Sequence, residues 1–421
     1  MRENREIVEK SLKKKAFDFD LNHLFRIDDE RLRLIREVDD LRSRRNEAAK
    51  KRDIEGGKEI KVHLEKEEDS LRAVEEQFKK ALLTIPNLPF DSVPEGDETA
   101  NKVLREVGKK KDFDFTPADH VTLGEKLGII DIPRAAKVSG SRFAYLVGDG
   151  VLLELALVQF VLKKLTKEGF VPLIPPALIK QEITAGLGYW QAGGNENYYL
   201  VRNSLEEVAE NGLGMYLVGT GEHSVVPMHA NEIFDEKDLP KKYVAFSPCF
   251  RLEAGSYGKD THGILRVHQF DKVEMVSFVK PETDKSERAK MLKSAEEIMK
   301  SLDLPYRVVQ LSSGDLSFPA AETIDIETWI PSQGKYRETH SISTTTDFQA
   351  RRLNIKYKQV ASDNLPAGKA GQQATNYVHV LNGTAVAIGR TIIAILENYQ
   401  QKDGTVTVPE VLREYLGKDT L

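Results

Sequence analysis

The strongest constraint in this sequence is a pair of alternating segments around position 260. Residues 243–253 and 264–278 alternate apolar and polar side chains with a period of two, and a loop rich in Gly, Ser, Lys and Asp separates them. Such runs predict two antiparallel strands joined by a long charged loop. We therefore expect a hairpin whose two faces differ in polarity.

One face of this hairpin carries groups that suit a nucleotide. Alternation places Arg251 and Glu253 together on the first strand, and it places Phe270, Lys272 and Glu274 together on the second. A guanidinium binds phosphate, an aromatic ring stacks on a base, and a carboxylate accepts from an ammonium or a hydroxyl. From spacing alone, a sheet rim with ordinary cross-strand ion pairs explains the pattern equally well.

Residues 249–274, CFRLEAGSYGKDTHGILRVHQFDKVE, resemble motif 2 of class II aminoacyl-tRNA synthetases, and specifically that of seryl-tRNA synthetases. The other blocks that resemble this family, in the same order, are TGE at 220–222, YRETHSIST at 336–344, DFQARR at 347–352 and NGTAVAIGRTIIAILENYQ at 382–400. The N-terminal region also fits, so the resemblance covers essentially the whole chain. It implies an α+β fold: a class II antiparallel sheet flanked by helices, with an N-terminal antiparallel coiled-coil arm.

The resemblance also implies a reaction. Serine and ATP form seryl-adenylate and pyrophosphate, and the seryl group then passes to the 3′ end of tRNA(Ser). The family also loads selenocysteine tRNA with serine, so tRNA(Sec) is a second implied partner. ATP and Mg²⁺ are the implied cofactors, and a homodimer is the implied assembly. The chemistry needs no protein nucleophile, because alignment and cations placed where charge builds up suffice.

By resemblance, Arg251 and Arg390 supply two catalytic cations. Arg390 lies near the start of a predicted helix, where free N–H groups favour an anion. Glu338 and Ser341 resemble the family's Mg²⁺-holding pair, and hard oxygen ligands suit that ion. The implied ATP-binding residues are Arg251, Leu252, Glu253, Val267, Phe270, Glu338, Thr339, His340, Ser341 and Arg390.

The implied serine site combines carboxylates with hydroxyls. A pocket that hydrogen-bonds the substrate hydroxyl rejects an analogue without it by about 10⁴ or more, which gives serine over alanine a physical basis. TGE, NGT and THS depart from the common TAE, NGS and ISS but keep the functional group at the position that matters. FRLE departs from the common FRSE, and alternation points Leu252 away from the face of Arg251, so we expect little effect on the chemistry. The implied serine-binding residues are Thr220, Gly221, Glu222, Arg251, Glu274 and Thr384.

Residues 28–83 have the composition of a long helical hairpin, charged throughout and without proline. One-sided apolar seams predict an antiparallel coiled coil of two helices. Gly56 and Gly57 predict the position of the turn. The seam residues are Leu32, Ile35, Val38 and Leu41 in the first half, and Leu64, Leu71, Val74, Phe78 and Leu82 in the second.

The segment before that turn, residues 42–52, contains six basic residues and one acid. A charge run is usually a solvated helix face. Because this run lies in the distal part of the predicted arm, contact with a nucleic-acid backbone is favoured, and the resemblance implies a grip on the long variable arm of tRNA(Ser). The predicted tRNA-binding residues are Arg42, Arg44, Arg45, Lys50, Lys51 and Arg52.

A proline-containing linker at 84–97 follows the arm, and a new pattern opens near 108–111. We expect an N-terminal tRNA-binding domain at 1–108 and a class II catalytic domain at 109–421. The apolar helix predicted at 152–170 and the following VPLIPPALI resemble motif 1, which builds the dimer interface in the family. A helix buried within one subunit is the alternative. A second apolar helix is predicted from about 385 to 400.

Composition excludes several classes of function. The net charge of −5 gives no global attraction to nucleic acid, so RNA binding requires local basic patches. The single cysteine, Cys249, excludes an intramolecular disulfide and a CxxC metal site. His340 has no second His or Cys at ligand spacing, so zinc is not expected.

Two further sequence features predict an ordinary surface loop and a protein without a membrane span. GKAGQQAT at 368–375 fails the P-loop pattern and is predicted to be a surface loop. No run approaches 18 apolar residues and the N-terminus lacks an apolar signal core, so we expect a cytoplasmic protein without a membrane span.

Two rival functions stay open. A relative of the same fold that charges a carrier protein lacks the long arm and uses a zinc site, whereas this chain has the predicted arm and lacks the ligands. A non-catalytic RNA-binding paralogue typically loses one of the Arg or Glu positions, and all of them are present here.

Overall fold

The computed structural model describes residues 1–190, 194–202, 214–253, 262–359 and 375–421. It divides into two compact units, Met1–Leu88 and Pro89–Leu421. This division comes earlier than the boundary expected near 108–111. The reason is that the strand Lys102–Val107 pairs with Tyr306–Gln310, which joins the segment after the linker to the sheet of the second unit.

The first unit is helical. Leu24 packs with Leu82 in one apolar cluster, and Leu41 packs with Leu64 in another, so the two long helices run antiparallel. This is the predicted coiled-coil arm. The helices are α1 (Arg5–Lys14), α2 (Leu21–Lys51) and α3 (Ile54–Leu83).

The turn of the arm lies at Arg52 and Asp53, a few residues before the two glycines near which it was predicted. Arg52 adopts a left-handed conformation with φ of 56°, and the Asp53 carboxylate accepts from the Gly56 N–H at 3.0 Å. This N-cap starts α3 before the glycines, because a capping carboxylate satisfies free N–H groups of the first turn. The seam also differs, since Leu34 is buried whereas Leu32 is exposed.

The second unit is built on an eight-stranded sheet with the order β1-β11-β12-β13-β16-β10-β9-β4. Among the described strands of this sheet, every pairing is antiparallel except that of β4 with β9. The strands of the unit are β1 (Lys102–Val107), β2 (Ile130–Asp131), β3 (Tyr145–Leu146), β4 (Val171–Leu173), β5 (Leu178–Lys180), β6 (Leu200–Val201), β7 (Met215–Leu217), β8 (Ile233–Asp235), β9 (Lys241–Phe250), β10 (Gln269–Val279), β11 (Tyr306–Gln310), β12 (Glu322–Ile330), β13 (Lys335–Thr344), β14 (Lys356–Lys358), β15 (Thr375–Tyr377) and β16 (His379–Ala387).

Helices cover this sheet and complete the core. Val273 and Met275 of β10 share one apolar cluster with residues of the two most apolar helices, Asp149–Lys167 and Ile388–Tyr399. The helices of the unit are α4 (His120–Lys126), α5 (Ile132–Ser139), α6 (Asp149–Lys167), α7 (Gln181–Leu187), α8 (Glu222–Val225), α9 (Asp284–Ser301), α10 (Phe348–Leu353), α11 (Ile388–Tyr399) and α12 (Glu410–Leu416).

The predicted hairpin is present as β9 and β10, with shorter strands than expected. β9 ends at Phe250 and β10 begins at Gln269, so Arg251 to Glu253 and Val267 lie outside the ladder. Beyond Phe250 the chain has left the ladder, and Glu253 takes a left-handed φ of 51°. Most of the predicted charged loop, 254–261, lies outside the described residues, as does GKAGQQAT apart from its last residue. Within the described ranges no helix is long and apolar enough to cross a membrane.

Candidate active site

Two adjoining cavities lie against β9, β10, β13 and β16. The larger cavity has a volume of about 420 Å³ and the smaller cavity of about 70 Å³. Both are lined by polar and charged side chains of residues that are distant in sequence. The residues that line both cavities are Arg251, Glu253, Arg266, Lys272, Glu338 and Thr384.

Arg251 is held between the two cavities by its neighbours. Its N–H donates to the carbonyl oxygen of His268, and its own carbonyl oxygen lies 2.9 Å from His268 Nδ1. Its Nε donates to the Gly219 carbonyl oxygen at 3.2 Å, and the guanidinium carbon lies 5.4 Å from the centre of the Phe270 ring. The backbone and one side-chain nitrogen are thus fixed, while the guanidinium borders both cavities.

Arg390 lies in the first turn of α11 and lines the smaller cavity. Its Nη1 donates to the Glu338 carbonyl oxygen at 2.8 Å and to Glu338 Oε2 at 3.1 Å. Its position adds a positive side chain to the free N–H groups of a helix start, a combination that favours anions.

Glu338 and Ser341 lie on β13 and both line the larger cavity. Desolvation opposes ionisation of Glu338, but the guanidinium groups of Arg390 and Arg251 outweigh it and lower the pKa of this carboxyl. Asp325 lies opposite Ser341 in the ladder and hydrogen-bonds to it. Burial, and next the Glu338 charge, raise the pKa of Asp325, whose Oδ1 is buried without a hydrogen-bond partner. This orphaned oxygen beside an ionised carboxylate fits a divalent cation.

The larger cavity contains two buried carboxyl groups in different surroundings. Tyr189 OH donates to Glu222 Oε2 at 2.9 Å, and Gln349 Nε2 donates to Oε1 at 2.7 Å. Burial raises the pKa of Glu222 to about 7. Glu274 instead pairs with Lys272 at 2.6 Å, and both side chains are less than a tenth exposed. Glu222 thus has neutral donors, whereas Glu274 already has a cation.

Hydroxyl groups accompany both carboxyls. Thr384 Oγ1 donates to Glu274 Oε2 at 3.3 Å. Thr220 lines the larger cavity, and its buried Oγ1 has no hydrogen-bond partner. The larger cavity therefore offers carboxylates and a hydroxyl with unused hydrogen-bonding capacity, which suits a small polar substrate.

Most of the predicted site residues line one cavity or both. Thr220, Glu222, Glu274 and Ser341 line the larger cavity, and Val267, Phe270, Thr339 and Arg390 line the smaller one. Their order along the chain gives no sign of this division.

Three predicted residues line neither cavity. Leu252 is 36% exposed. Gly221 lies behind Glu274, and a Cβ at 221 would lie 3.3 Å from the Glu274 Cβ. His340 is fully buried, which lowers its pKa to about 4, and its Nδ1 lies 2.9 Å from Thr339 Oγ1. Gly221 and His340 thus lie against cavity-lining residues from outside the cavities.

Nine residues of the larger cavity were not among the predicted site residues, and three of them are Arg266, Asn382 and Lys272. Arg266 donates to Glu253 Oε2 at 2.7 Å, and Asn382 presents a buried Nδ2 without a partner. The third, Lys272, had a signal, because alternation placed it beside Glu274. Asn382 had only its place in the NGT block, and Arg266 lies before β10 begins, where alternation carries no information.

The predicted tRNA-binding residues are all exposed on the arm. Arg42 pairs with Glu68 of the facing helix at 2.8 Å, and Arg44 lies 3.8 Å from Asp40. The remaining four, Arg45, Lys50, Lys51 and Arg52, have no ion pair with any residue that the structure describes.

Two protein families match the chain. Residues 199–399 match the tRNA synthetase class II core domain (G, H, P, S and T), and residues 1–89 match the seryl-tRNA synthetase N-terminal domain. The serine–tRNA ligase of Thermodesulfovibrio yellowstonii is 42% identical over 100% of this chain and 98% of its own length. That of Sulfurihydrogenibium sp. is 48% identical over 82% of this chain and 78% of its own length.

Two solved structures are similar throughout. The seryl-tRNA synthetase of Pyrococcus horikoshii, complexed with ATP, has a TM-score of 0.88 and 38% identity, and the match covers 100% of this chain and 97% of that one. The cytoplasmic serine–tRNA ligase of Naegleria fowleri, in complex with AMP, has a TM-score of 0.86 and 32% identity over 99% and 95% of the two chains. The predicted class II fold with its coiled-coil arm is confirmed, and the chain belongs to the seryl-tRNA synthetase family.

Proposed function

We propose that this protein activates serine with ATP and transfers the seryl group to the 3′ end of tRNA(Ser). The observation that carries the proposal is the meeting of Arg251, Arg390 and Glu338 with two carboxyl groups around adjoining cavities. ATP occupies the smaller cavity and extends past Arg251, and serine occupies the larger cavity. The relative from Pyrococcus horikoshii supports the nucleotide part, since it was solved with ATP.

In the activation step, the serine carboxylate attacks the α-phosphate. A carboxylate–phosphorus bond forms, the bond to pyrophosphate breaks, and the electron pair leaves with pyrophosphate. Negative charge builds up where the Arg251 guanidinium borders both cavities, so this cation lowers the barrier most. Arg390 holds the terminal phosphate at the start of α11.

The two carboxyl groups bind different functional groups of serine. Glu222 receives its hydrogen bonds from the neutral donors Tyr189 and Gln349, so the serine ammonium supplies the cation that stabilises its charged form. Glu274 is already paired with Lys272 and suits the uncharged serine hydroxyl, together with Thr384. Alanine lacks the hydroxyl that this part of the site hydrogen-bonds, so we expect it to bind less well than serine.

Mg²⁺ is held by Glu338 and Ser341 together with ATP. Support comes from the lowered pKa of Glu338 and from the unpartnered Oδ1 of Asp325 beside it. Bound Mg²⁺ would neutralise phosphate charge. The residues of this chain keep the carboxylate ionised and orient the Ser341 hydroxyl.

The arm binds the backbone of the tRNA through its exposed cations. Arg45, Lys50, Lys51 and Arg52 are the strongest candidates, because Arg42 and Arg44 already have acidic neighbours. Phosphate contacts of this kind read shape more than sequence. They suit tRNA(Ser), and by the same chemistry tRNA(Sec).

The proposed assembly is a homodimer formed through α6 and the segment after it. Val151, Leu152 and Leu155 of α6 are 40 to 45% exposed, whereas Leu153 and Leu157 are buried in the core. An apolar helix face that the chain's own core leaves exposed favours a partner. Leu152→Glu with Leu155→Glu should shift sedimentation from dimer to monomer. A monomeric unaltered protein would contradict the assembly.

ATP–pyrophosphate exchange across a panel of amino acids tests the activity. We expect exchange with serine alone, and no serine-dependent exchange would exclude the proposal in favour of a non-catalytic RNA-binding protein. Charging assays then compare tRNA(Ser), tRNA(Sec) and a carrier protein. Charging of the carrier protein alone would establish the rival enzyme. The cytoplasmic location stays a prediction, which cell fractionation tests.

A further inference from the structure

A buried histidine outside both cavities is joined to a carboxylate of α11. His120, the first residue of α4, is 2% exposed, and its Nδ1 lies 3.2 Å from Oε1 of the fully buried Glu397. The same oxygen accepts from the His120 backbone N–H at 3.1 Å, and the other oxygen accepts from the Ser332 N–H at 3.0 Å. An ionised carboxylate can only accept, so Nδ1 of the imidazole carries a proton.

The other nitrogen of this imidazole holds the chain near the predicted motif 2 loop. The Ile264 N–H donates to His120 Nε2 at 3.2 Å. Because a backbone N–H can only donate, Nε2 presents its lone pair and the imidazole is neutral. The contact is close, since a Cβ at Gly263 would lie 2.0 Å from Nε2. His120 thus fixes the backbone immediately after the undescribed residues 254–261.

This contact continues to the smaller cavity. Ile264 and Leu265 line that cavity, whereas His120 lines neither. The Leu265 carbonyl oxygen accepts from Arg390 Nε at 3.4 Å. Arg390 and Glu397 belong to the same helix, about two turns apart. One helix therefore carries both the carboxylate that holds His120 and the guanidinium that contacts Leu265.

We propose that His120 is a positioning residue for ATP: the imidazole held by Glu397 fixes the backbone of Ile264 and, through Leu265, the cavity wall and the Arg390 guanidinium. The inference rests on the proposed function, because it takes the smaller cavity as the nucleotide site. Serine is proposed to bind in the larger cavity, which Ile264 and Leu265 do not line. Loss of the contact should therefore weaken ATP binding and spare serine binding.

The test compares two substitutions of one residue. His120→Phe keeps the ring volume and removes both nitrogens, whereas His120→Gln keeps an amide oxygen that accepts from the Ile264 N–H. We expect the KM for ATP in serine-dependent exchange to rise about tenfold in His120→Phe, because the wall of the smaller cavity and Arg390 are no longer held in place. The KM for serine should stay within about twofold, and His120→Gln should recover most of the ATP effect.

His229→Phe is the matched control. His229 also joins a carboxylate and a second partner, with Nδ1 2.7 Å from Glu232 Oε2 and Nε2 2.9 Å from Tyr243 OH, and it lines neither cavity. This substitution should lower the melting temperature and leave both KM values unchanged. An unchanged KM for ATP in folded His120→Phe, or an equal rise for both substrates, would overturn the positioning role.

Two further readouts keep the inference separate from the proposed function and from folding. If the unaltered chain shows no serine-dependent exchange, the proposed function fails, and binding of a fluorescent ATP analogue to the His120 variants decides this inference. If His120→Phe does not fold, hydrogen exchange of the unaltered chain decides it. Slow exchange of the Ile264 N–H supports the contact, and exchange at the rate of a free peptide overturns it.

Discussion

The arm and the two cavities both depend on charged side chains, but they hold them in opposite ways. On the arm, Arg33 and Glu37 pair at 2.6 Å while both remain accessible to water. In the larger cavity, Lys272 and Glu274 also pair at 2.6 Å, but almost without exposure. An exposed pair contributes little net stability, whereas breaking a buried pair costs about 3–5 kcal/mol.

This difference teaches how each region tolerates change. The charges on the arm act together, and because water and salt screen each of them, the loss of any single charge has a small effect. Charges in the cavities act by position, because low exposure leaves an unpaired group uncompensated. Substitutions should therefore have large, specific effects in the cavities and small, additive effects on the arm.

The largest expected effect is that of Arg251→Ala. Removing the cation that borders both cavities should lower the rate of ATP–pyrophosphate exchange by at least about 10³-fold, because transition-state charge loses its stabilisation. Circular dichroism and the melting temperature should stay close to those of the unaltered chain. Arg134→Ala is the control, since Arg134 is exposed and, among the residues that the structure describes, pairs only with Asp131 three residues before it. Normal exchange by Arg251→Ala would refute its assignment.

Glu338→Gln should have the next largest effect. It removes the charge of the proposed Mg²⁺ ligand, and we expect about a 10²-fold loss of exchange that higher Mg²⁺ concentrations partly restore. Glu282→Gln, at an exposed carboxylate that pairs with Lys280 at 3.2 Å and lines neither cavity, is the control. A loss that does not depend on Mg²⁺ would argue against metal binding by Glu338.

Glu222→Gln should raise the KM for serine by roughly 10–100-fold, because the ammonium loses a buried charged partner. In the unaltered chain, the KM for serine should fall as the pH rises through about 7, where Glu222 ionises. The variant should lack this dependence. Glu296→Gln, at a buried carboxylate paired with Arg105 outside both cavities, should change neither.

The same substitution gives a signature in stability. The pKa of Glu222 is raised from 4.5 to about 7, so the folded state binds an extra proton between these values. The stability that this proton supplies is complete below pH 4.5 and is lost as the pH rises through 7. Measured by urea unfolding, Glu222→Gln should gain free energy of unfolding relative to the unaltered chain between pH 5 and pH 8, by up to about 3 kcal/mol. A constant difference would contradict the raised pKa.

The smallest expected effect of a single change lies on the arm. Replacing Arg45, Lys50, Lys51 or Arg52 singly by Gln should weaken tRNA binding by a few-fold, and replacing all four should lower the slope of log affinity against log salt by about one per lost phosphate contact. The rate of serine-dependent ATP–pyrophosphate exchange should not change. Glu65→Gln with Lys61→Gln, an exposed pair on the facing helix, is the control. An unchanged slope of log affinity against log salt would contradict the proposed role of the arm in tRNA binding.

Much of the site was predictable from the order of residues in the motifs, and the errors have physical causes. Alternation located Phe270, Lys272 and Glu274 on one face, because the side-chain period of a strand is fixed. It gave no information at Arg266, which lies before β10 begins and so outside the ladder. The two glycines indicated the approximate position of the turn of the arm, but the N-cap formed by Asp53 sets where α3 begins.

The sequence by itself determined the family, the α+β class, the coiled-coil arm and the identity of the charged groups, because periodicity and motif order are local properties of the chain. The tertiary structure alone decided the exposure of each charge and its partners. Glu222 and Glu274 are the same residue type, yet one is bonded by neutral donors and the other by Lys272. Burial and long-range contacts cause those differences, and neither can be predicted from the residues that are neighbours in the sequence.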